Sequence, residues 1–252
     1  MTDGPLACTC IIPCYNERAR IAPVLAEVLR VANLAEVIVV DDGSTDGTAD
    51  LVAQRFPGVT LLRLPRNQGK AAAVQAGVDR VATSHALLLD ADLRGLRAAE
   101  IEAAVALALA RPDVDMVILR RVKAGVHARL CRGDVLFSGE RIVKTNDLRA
   151  ALATSPDGYQ IEIALNRYMA LHGKRVVWVP SSARNTLKMQ KHGPVRGLTG
   201  DIKMVKHMID YAGLGAFVEQ FLFFARDRAA LPTGEKVGAP SRVANLVGWR
   251  KL

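Results

Sequence analysis

The first 120 residues alternate short runs of β-branched and leucine side chains with longer segments of helical period. That alternation restricts the chain to βαβ units around a largely parallel sheet. Strands are expected over residues 8–13, 36–40, 60–63, 86–90 and 116–119, with helices over 21–32, 48–56, 70–83 and 98–110. Pro112 stops the last helix, because proline cannot continue one and disfavours helical angles in its predecessor. In sheets of this kind the ligand lies outside the carboxyl ends of the strands. The residues just after each run therefore carry the functional information, and here they are polar: "PCYNE", "DDGSTDGT", "DADL" and "RR".

In "LLLDADL" a doubly buried strand runs into Asp90 and Asp92, which a two-residue period would aim the same way. Paired carboxylates repel unless a cation joins them, and hard oxygen ligands suit Mg2+ or Mn2+ completed by water and substrate phosphate. Taken alone, such a pair serves equally well as a solvated turn or as helix caps. "VIVVDDGSTDGT" adds Asp41 and Asp42 where a carboxylate can accept from a nucleobase N–H or a ribose hydroxyl, with Gly43 for a tight turn and Ser44 or Asp46 as caps. "IIPCYNE" offers Tyr15, Asn16 and Glu17 at the matching end of the first strand. "RNQGKAAAVQAGV" brings Arg66, Gly69 and Lys70 to a helix N-terminus, a place suited to anions. The P-loop pattern is absent, which argues against an ATPase or GTPase.

Composition narrows the partners. A chain of 252 residues that is half apolar can bury a full core. Its net charge of +9 attracts nucleotides, phosphorylated substrates, nucleic acid or anionic lipid. Cys8, Cys10, Cys14 and Cys131 fit neither a disulfide framework nor paired zinc spacing, so they read as reduced thiols. No apolar run approaches the roughly 20 residues that span a bilayer. The opening "MTDGPLACTC" lacks a signal-peptide profile, and a cytoplasmic protein is expected.

"IIPCYNE", "VIVVDDGSTDGT", "RNQGKAAAVQAGV" and "LLLDADL", in this order and spacing, resemble the nucleotide-sugar-binding half of family 2 glycosyltransferases with the GT-A fold, in the dolichol-phosphate-mannose-synthase-like and polyprenyl-phosphate branch. The resemblance implies an α/β fold, a central mostly parallel sheet flanked by helices, with a C-terminal helical appendage. It implies a GT-A domain over 1–198, split at 119 into donor and acceptor halves, then amphipathic helices over 199–230 and a flexible polar tail over 231–252. Carried over by residue, it sets Pro13, Tyr15, Glu17, Val40 and Asp42 around the nucleotide, and Asp90 and Ala91 beside ribose and diphosphate. Asp92 becomes the main metal ligand, with Asp90 assisting. Arg120 or Arg121 falls near the sugar diphosphate. Where that branch often has a metal-holding glutamine, this chain has Arg94, which either thins the metal shell or contacts phosphate itself.

In the second half, "FSGERI" resembles the family's Ser-Gly-x-Arg element, so Arg141 would face the donor diphosphate or a phosphorylated acceptor. "DGYQIEIALN" resembles its Gly-x-x-x-Glu element at the start of a helix over 160–171, making Glu162 the first choice of general base and Asp157 the second. An ionised phosphate acceptor would need no base. Glu162 could equally do no more than complement the positive helix end. After a further strand expected over "KRVVWVP", Arg184, Lys188, Lys191 and His192 form a cationic loop suited to clamp a diphosphate, while Asn185 stands where many relatives carry histidine. Residues 202–224 carry basic and aromatic stripes, which makes 199–228 fit for a peripheral membrane contact or a second subunit. The expected activity is inverting, metal-dependent hexosyl transfer from a UDP- or GDP-linked sugar to an anionic or lipid-linked acceptor, at the inner membrane face. Its rivals are a soluble transferase acting on a small phosphorylated acceptor and a basic lipid- or nucleic-acid-binding module, nucleic acid being disfavoured by the acidic strand ends.

Overall fold

The computed structural model describes residues 5–122, 133–136, 138–153, 161–185 and 224–231. Asp157, Lys188, Lys191, His192, Cys131 and the stretches 199–223 and 232–252 lie outside them. The chain order begins β1 (Cys8–Cys14), α1 (Ile21–Val28), β2 (Leu34–Asp41), α2 (Thr48–Arg55), β3 (Thr60–Arg63), α3 (Lys70–Val78) and β4 (His85–Leu88). It continues with β5 (Leu93–Arg94), α4 (Ala98–Ala110), β6 (Met116–Arg121), a short turn of helix α5 (Gly133–Leu136), β7 (Arg141–Lys144), α6 (Thr145–Ala153) and α7 (Ile161–Leu171). β8 (Val176–Ser181), β9 (Arg184–Asn185) and β10 (Asp227–Arg228) complete it.

Eight of these strands pair in the order β3-β2-β1-β4-β7-β6-β8-β10, and all neighbours run parallel except around β7, which is antiparallel to both β4 and β6. Alternate residues of the central strands feed two apolar layers. Cys10, Ile12, Val39 and Leu87 pack with α1 and α4, whereas Ile11, Ile38, Val40 and Leu88 pack with α3, α6 and α7. Burial on both faces explains why these strands read as unbroken apolar runs. The buried Cys8, Cys10 and Cys14 are free thiols within this packing. The chain winds outward from β1 through β2 to β3, then returns to place β4 on the other side of β1. This reversal opens a crevice at the carboxyl ends of β1 and β4, the usual ligand position in open α/β sheets.

Several local expectations change. β4 stops at Leu88, and residues 91–92 form a turn. The two-residue period therefore does not reach Asp92, and the two aspartates acquire different surroundings. Strand β7 was not anticipated, since "RIVK" opens a buried strand on a charge that only tertiary partners can satisfy. Neither was α6, whose "TNDLRAALA" opens on three polar residues. The helical appendage expected to reach residue 230 ends differently. Phe224 and Ala225 are buried against the α3, α6 and α7 layer, and Asp227–Arg228 add an edge strand beside Val177 and Trp178 of β8.

Candidate functional site

The loops after β1 and β2 are stitched together. Asn16, in the left-handed region at φ 54°, donates its N–H to Ser44 Oγ at 2.9 Å, and its own Oδ1 accepts from the Thr45 N–H at 2.9 Å. The Glu17 N–H donates to Thr48 Oγ1 at 3.0 Å, while the Glu17 carboxylate pairs with Arg20. Tyr15 remains 43% exposed beside Pro13, whose register partner on β2 is Val40. A ring offered to solvent on so braced a loop is suited to pack on a planar base.

Asp41 and Asp42 are both nearly fully buried, and each organises a turn. The Ser44 N–H donates to Asp41 Oδ2 at 3.1 Å, and Gln68 and Gly69 donate their N–H groups to the two Asp42 oxygens, both at 2.8 Å. Asp42 thereby fixes the loop that delivers Lys70. Gly43 permits this approach: at φ +71° its position would put a Cβ 2.5 Å from the Arg66 carbonyl carbon.

Lys70 begins α3, the end of a helix where a cation is normally unfavourable. Two carboxylates reverse the preference. Lys70 Nζ donates to Asp90 Oδ1 and to Glu162 Oε1, each at 2.8 Å. Burial alone would lower the ammonium pKa, but the Asp90 and Glu162 charges outweigh it and drive it well above the usual lysine range. Glu162 itself lies in the first turn of α7 and is largely buried there, its side chain 12% exposed.

Gly139 and Glu140, unremarked in the sequence apart from the Ser-Gly-x-Arg likeness, back this triad. A Cβ at Gly139 would meet Asp90 Oδ2 at 2.8 Å and Oδ1 at 2.9 Å. Gly139→Ala is therefore expected to displace Asp90 from Lys70. It should cost about 1–3 kcal/mol of stability, as overpacking commonly does, and weaken ligand binding further, both measurable by thermal melting with and without nucleotide. Glu140 is fully buried, accepts from Ser138 Oγ at 2.6 Å and lies 3.7 Å from Arg121 Nε. Burial pushes its carboxyl up, partly offset by the Arg121 charge.

Arg120 and Arg121 separate as neighbours on a strand must. Arg121 turns toward Glu140, whereas Arg120 stacks over Trp178 with its guanidinium carbon 4.7 Å from the ring centroid. Arg141 is fully buried. Its Nε donates to the Ser138 carbonyl at 2.6 Å, Nη2 to the Leu136 carbonyl at 2.8 Å, and Nη1 to Asn166 Oδ1 at 2.6 Å and the Glu162 carbonyl at 3.3 Å. A phosphate could reach this guanidinium only if those bonds opened. Burial pushes it down to about 10, so it stays cationic at neutral pH.

Asp92 lines a cavity of about 450 Å³ that it shares with Arg20, Glu27 and Arg94. Ala91, between the aspartates, sends its methyl into the core. Arg184 reaches the same region because β9 pairs antiparallel with β5, setting Arg184 opposite Arg94. Glu100 anchors the approach, accepting the Ser182 N–H at 2.8 Å. For a divalent ion, the donor set is hard carboxylate oxygen from Asp92 and Asp90, a chemistry that fits Mg2+ or Mn2+. Among the described residues no group of three or more His, Cys, Asp or Glu side chains could hold a metal. An ion here would thus depend on substrate oxygens for much of its shell.

The arrangement has known counterparts. The family model described as glycosyl transferase family 2 matches residues 9–170. A dolichyl-phosphate beta-glucosyltransferase of Trichomonas vaginalis is 41% identical over 96 residues, covering 33% of this chain and 28% of the relative. An undecaprenyl-phosphate 4-deoxy-4-formamido-L-arabinose transferase of Serratia proteamaculans is 37% identical over 92 residues, again 33% of this chain and 28% of the relative. The matched segments thus span less than a third of these relatives. Among solved structures, glucosyl-3-phosphoglycerate synthase from Mycobacterium tuberculosis, in complex with Mn2+, UDP and glucosyl-3-phosphoglycerate, superposes with a TM-score of 0.63 at 19% identity, covering 81% of this chain and 78% of that one. At that identity the likeness is one of fold, and the fold is GT-A. The family match begins inside β1, ends inside α7 and takes in all four strand-end motifs; the chain belongs to glycosyl transferase family 2.

Proposed function

We propose that the chain is the GT-A domain of an inverting, metal-dependent glycosyltransferase that moves a hexose from a UDP- or GDP-linked sugar to an anionic or lipid-linked acceptor such as a polyprenyl phosphate. Residues 1–119 hold the donor and 120–198 the acceptor side. The observation that carries the reading is the Lys70 bridge, which ties the expected donor residue Asp90 to the expected acceptor residue Glu162 across the switch-point crevice. The named activities of the Trichomonas and Serratia relatives, both sugar transfers involving a lipid phosphate by their names, support the acceptor class.

In this reading Tyr15 packs on the base, the rim of Pro13, Glu17, Val40 and Asp42 shapes the nucleoside pocket, and Asp90 lies beside ribose and diphosphate. Asp92, with Asp90, holds Mg2+ or Mn2+, which when bound supplies Lewis-acid stabilisation of the departing nucleotide. Arg121 and the Arg184–Lys188 loop neutralise diphosphate charge. Glu162 orients the acceptor; for a hydroxyl acceptor it or Asp157 removes the proton, and for a phosphate acceptor no base is needed. Attack from the face opposite the leaving group inverts the anomeric carbon.

Thermal melting with UDP, GDP and dTDP, each with and without Mn2+, tests the proposal. At least one nucleotide should raise the melting temperature in a Mn2+-dependent way, and Asp92→Ala should abolish the Mn2+-dependent part while melting normally alone. No shift with any nucleotide would sink it. A screen of donor hydrolysis across nucleotide sugars then names the sugar. A small phosphorylated acceptor is the second reading, favoured by the phosphoglycerate product held by the structurally similar Mycobacterium synthase. Peripheral membrane contact, expected through 199–228, does not include Phe224, which is buried. Among the described residues no helix is long and apolar enough to cross a membrane. Flotation with anionic liposomes tests that contact: protein left in solution excludes it.

A further inference from the structure

Glu140 is fully buried and poorly satisfied. Its Oε1 has no hydrogen-bond partner among the described residues. Ser138 Oγ lies 2.6 Å from its Oε2 and 3.0 Å from the Leu119 carbonyl, so one hydroxyl proton serves two acceptors. An ionised carboxylate withdrawn from water is destabilising unless it is both paired and hydrogen-bonded. For folding alone, a glutamine would serve here as well or better.

The cation that could pair with it stops short. The Leu119 N–H donates to the Glu140 carbonyl at 3.0 Å, one step beyond the last register pair of β6 and β7, Ile118 and Arg141, so Glu140 sits opposite Leu119. Arg121, two residues on from Leu119, projects from the same face of the sheet. Its Nε is 3.7 Å from Glu140 Oε2, too long for a hydrogen bond, and is itself buried without a hydrogen-bond partner among the described residues. Arginine and carboxylate normally close to about 2.7–2.9 Å in a bidentate fork, which occupies two guanidinium donors. Held open, this pair compensates charge without occupying that fork. Asp90 and Lys70, already paired with each other, act on Glu140 with opposite signs, which leaves Arg121 as the charge it chiefly answers to. The acid is sealed in, its side chain 1% exposed, whereas that of Arg121 reaches the surface at the carboxyl end of β6 and is 15% exposed.

We propose that Glu140 is a positioning residue: its buried carboxylate holds the Arg121 guanidinium at the rim of the crevice without closing on it, so that the fork stays available to an anionic substrate. That this anion belongs to a nucleotide sugar rests on the function proposed above; that Glu140 holds Arg121 does not. The acid then trades stability for function, as groups kept at working sites commonly do.

Calorimetric titration of the full chain with UDP and GDP in Mn2+, alongside thermal melting, tests this on Glu140→Gln, Arg121→Gln and the double variant. Arg121→Gln should weaken the nucleotide that wild type binds by about 10-fold or more, and Glu140→Gln by about fivefold. The double variant should bind no more weakly than Arg121→Gln, since the acid acts through the arginine. Glu140→Gln should nevertheless melt at or above wild type, and Glu140→Asp, which keeps the charge, should regain part of the affinity. Nucleotide binding by Glu140→Gln within twofold of wild type, losses that multiply in the double variant, or melting of Glu140→Gln several degrees below wild type would each overturn the proposal. If wild type binds no nucleotide, the donor reading falls and melting alone decides on the pair. Arg121→Gln should then lower melting by about 4 °C or more in wild type, where it orphans the acid, and hardly at all in Glu140→Gln. Equal losses in the two backgrounds would show that Glu140 does not hold Arg121.

Discussion

Lys70→Met should cost about 2–4 kcal/mol of stability and lower nucleotide-sugar turnover by 100-fold or more. The side chain is the shared partner of Asp90 and Glu162, 2.8 Å from each, and all three are mostly withdrawn from water. Removing one member of a buried ion pair typically costs about 3–5 kcal/mol, because the remaining charge is left without compensation. Partial solvent access brings the figure down here. The kinetic loss is larger in effect, since displacing groups on both sides of a reacting centre by about 1 Å can cost 100-fold. Denaturant unfolding and donor turnover measure the two parts. A Lys70→Met/Asp90→Asn double variant should recover part of the stability but none of the activity, because it removes one of the two orphaned charges without rebuilding the bridge. Wild-type stability and turnover in Lys70→Met would refute the bridge as an organising element.

Arg141→Met separates a structural role from a substrate contact. The buried guanidinium closes the Leu136 and Ser138 carbonyls and ties β7 to Asn166 and Glu162 on α7. Its removal takes the guanidinium's donors from the Ser138 carbonyl and Asn166 Oδ1 and leaves the Leu136 carbonyl with Asn166 Nδ2 alone, at 3.0 Å, for an expected loss of about 3–5 kcal/mol. At roughly 2–4 °C per kcal/mol for a chain of this size, melting should fall by about 10 °C. Well below its melting point the variant should bind nucleotide within about threefold of wild type. Normal melting combined with lost nucleotide affinity would instead return Arg141 to the diphosphate.

The parts of this site legible in the sequence share one property: their signal is local. Apolar runs such as "VIVV" need burial on both faces, so the central strands could be read off directly, and the polar residues after them had to lie at the sheet's carboxyl edge. Asp90, Asp92, Asp42 and Tyr15 were placed at that edge this way. β7 was not, because its first residue is an arginine whose burial depends on carbonyls from Leu136 and Ser138 and on Asn166. Lys70 was placed near an anion site by its helix N-terminus, but its pairing with Glu162, 92 positions later, has no local trace.

From sequence alone followed the layered α/β architecture, the order of the donor motifs and the acidic strand ends, all consequences of hydrophobic period and turn chemistry. Tertiary structure decided which charges meet. It turned Asp90 toward Lys70, set Asp92 in one cavity with Arg20 and Arg94, buried Arg141, sent Arg120 and Arg121 to opposite faces, and set Arg184 against Arg94. The physical reason is range. Backbone preference and burial are set within a few residues of chain, whereas the energy of a charge depends on neighbours brought within a few ångströms by strand pairing, wherever in the sequence they lie.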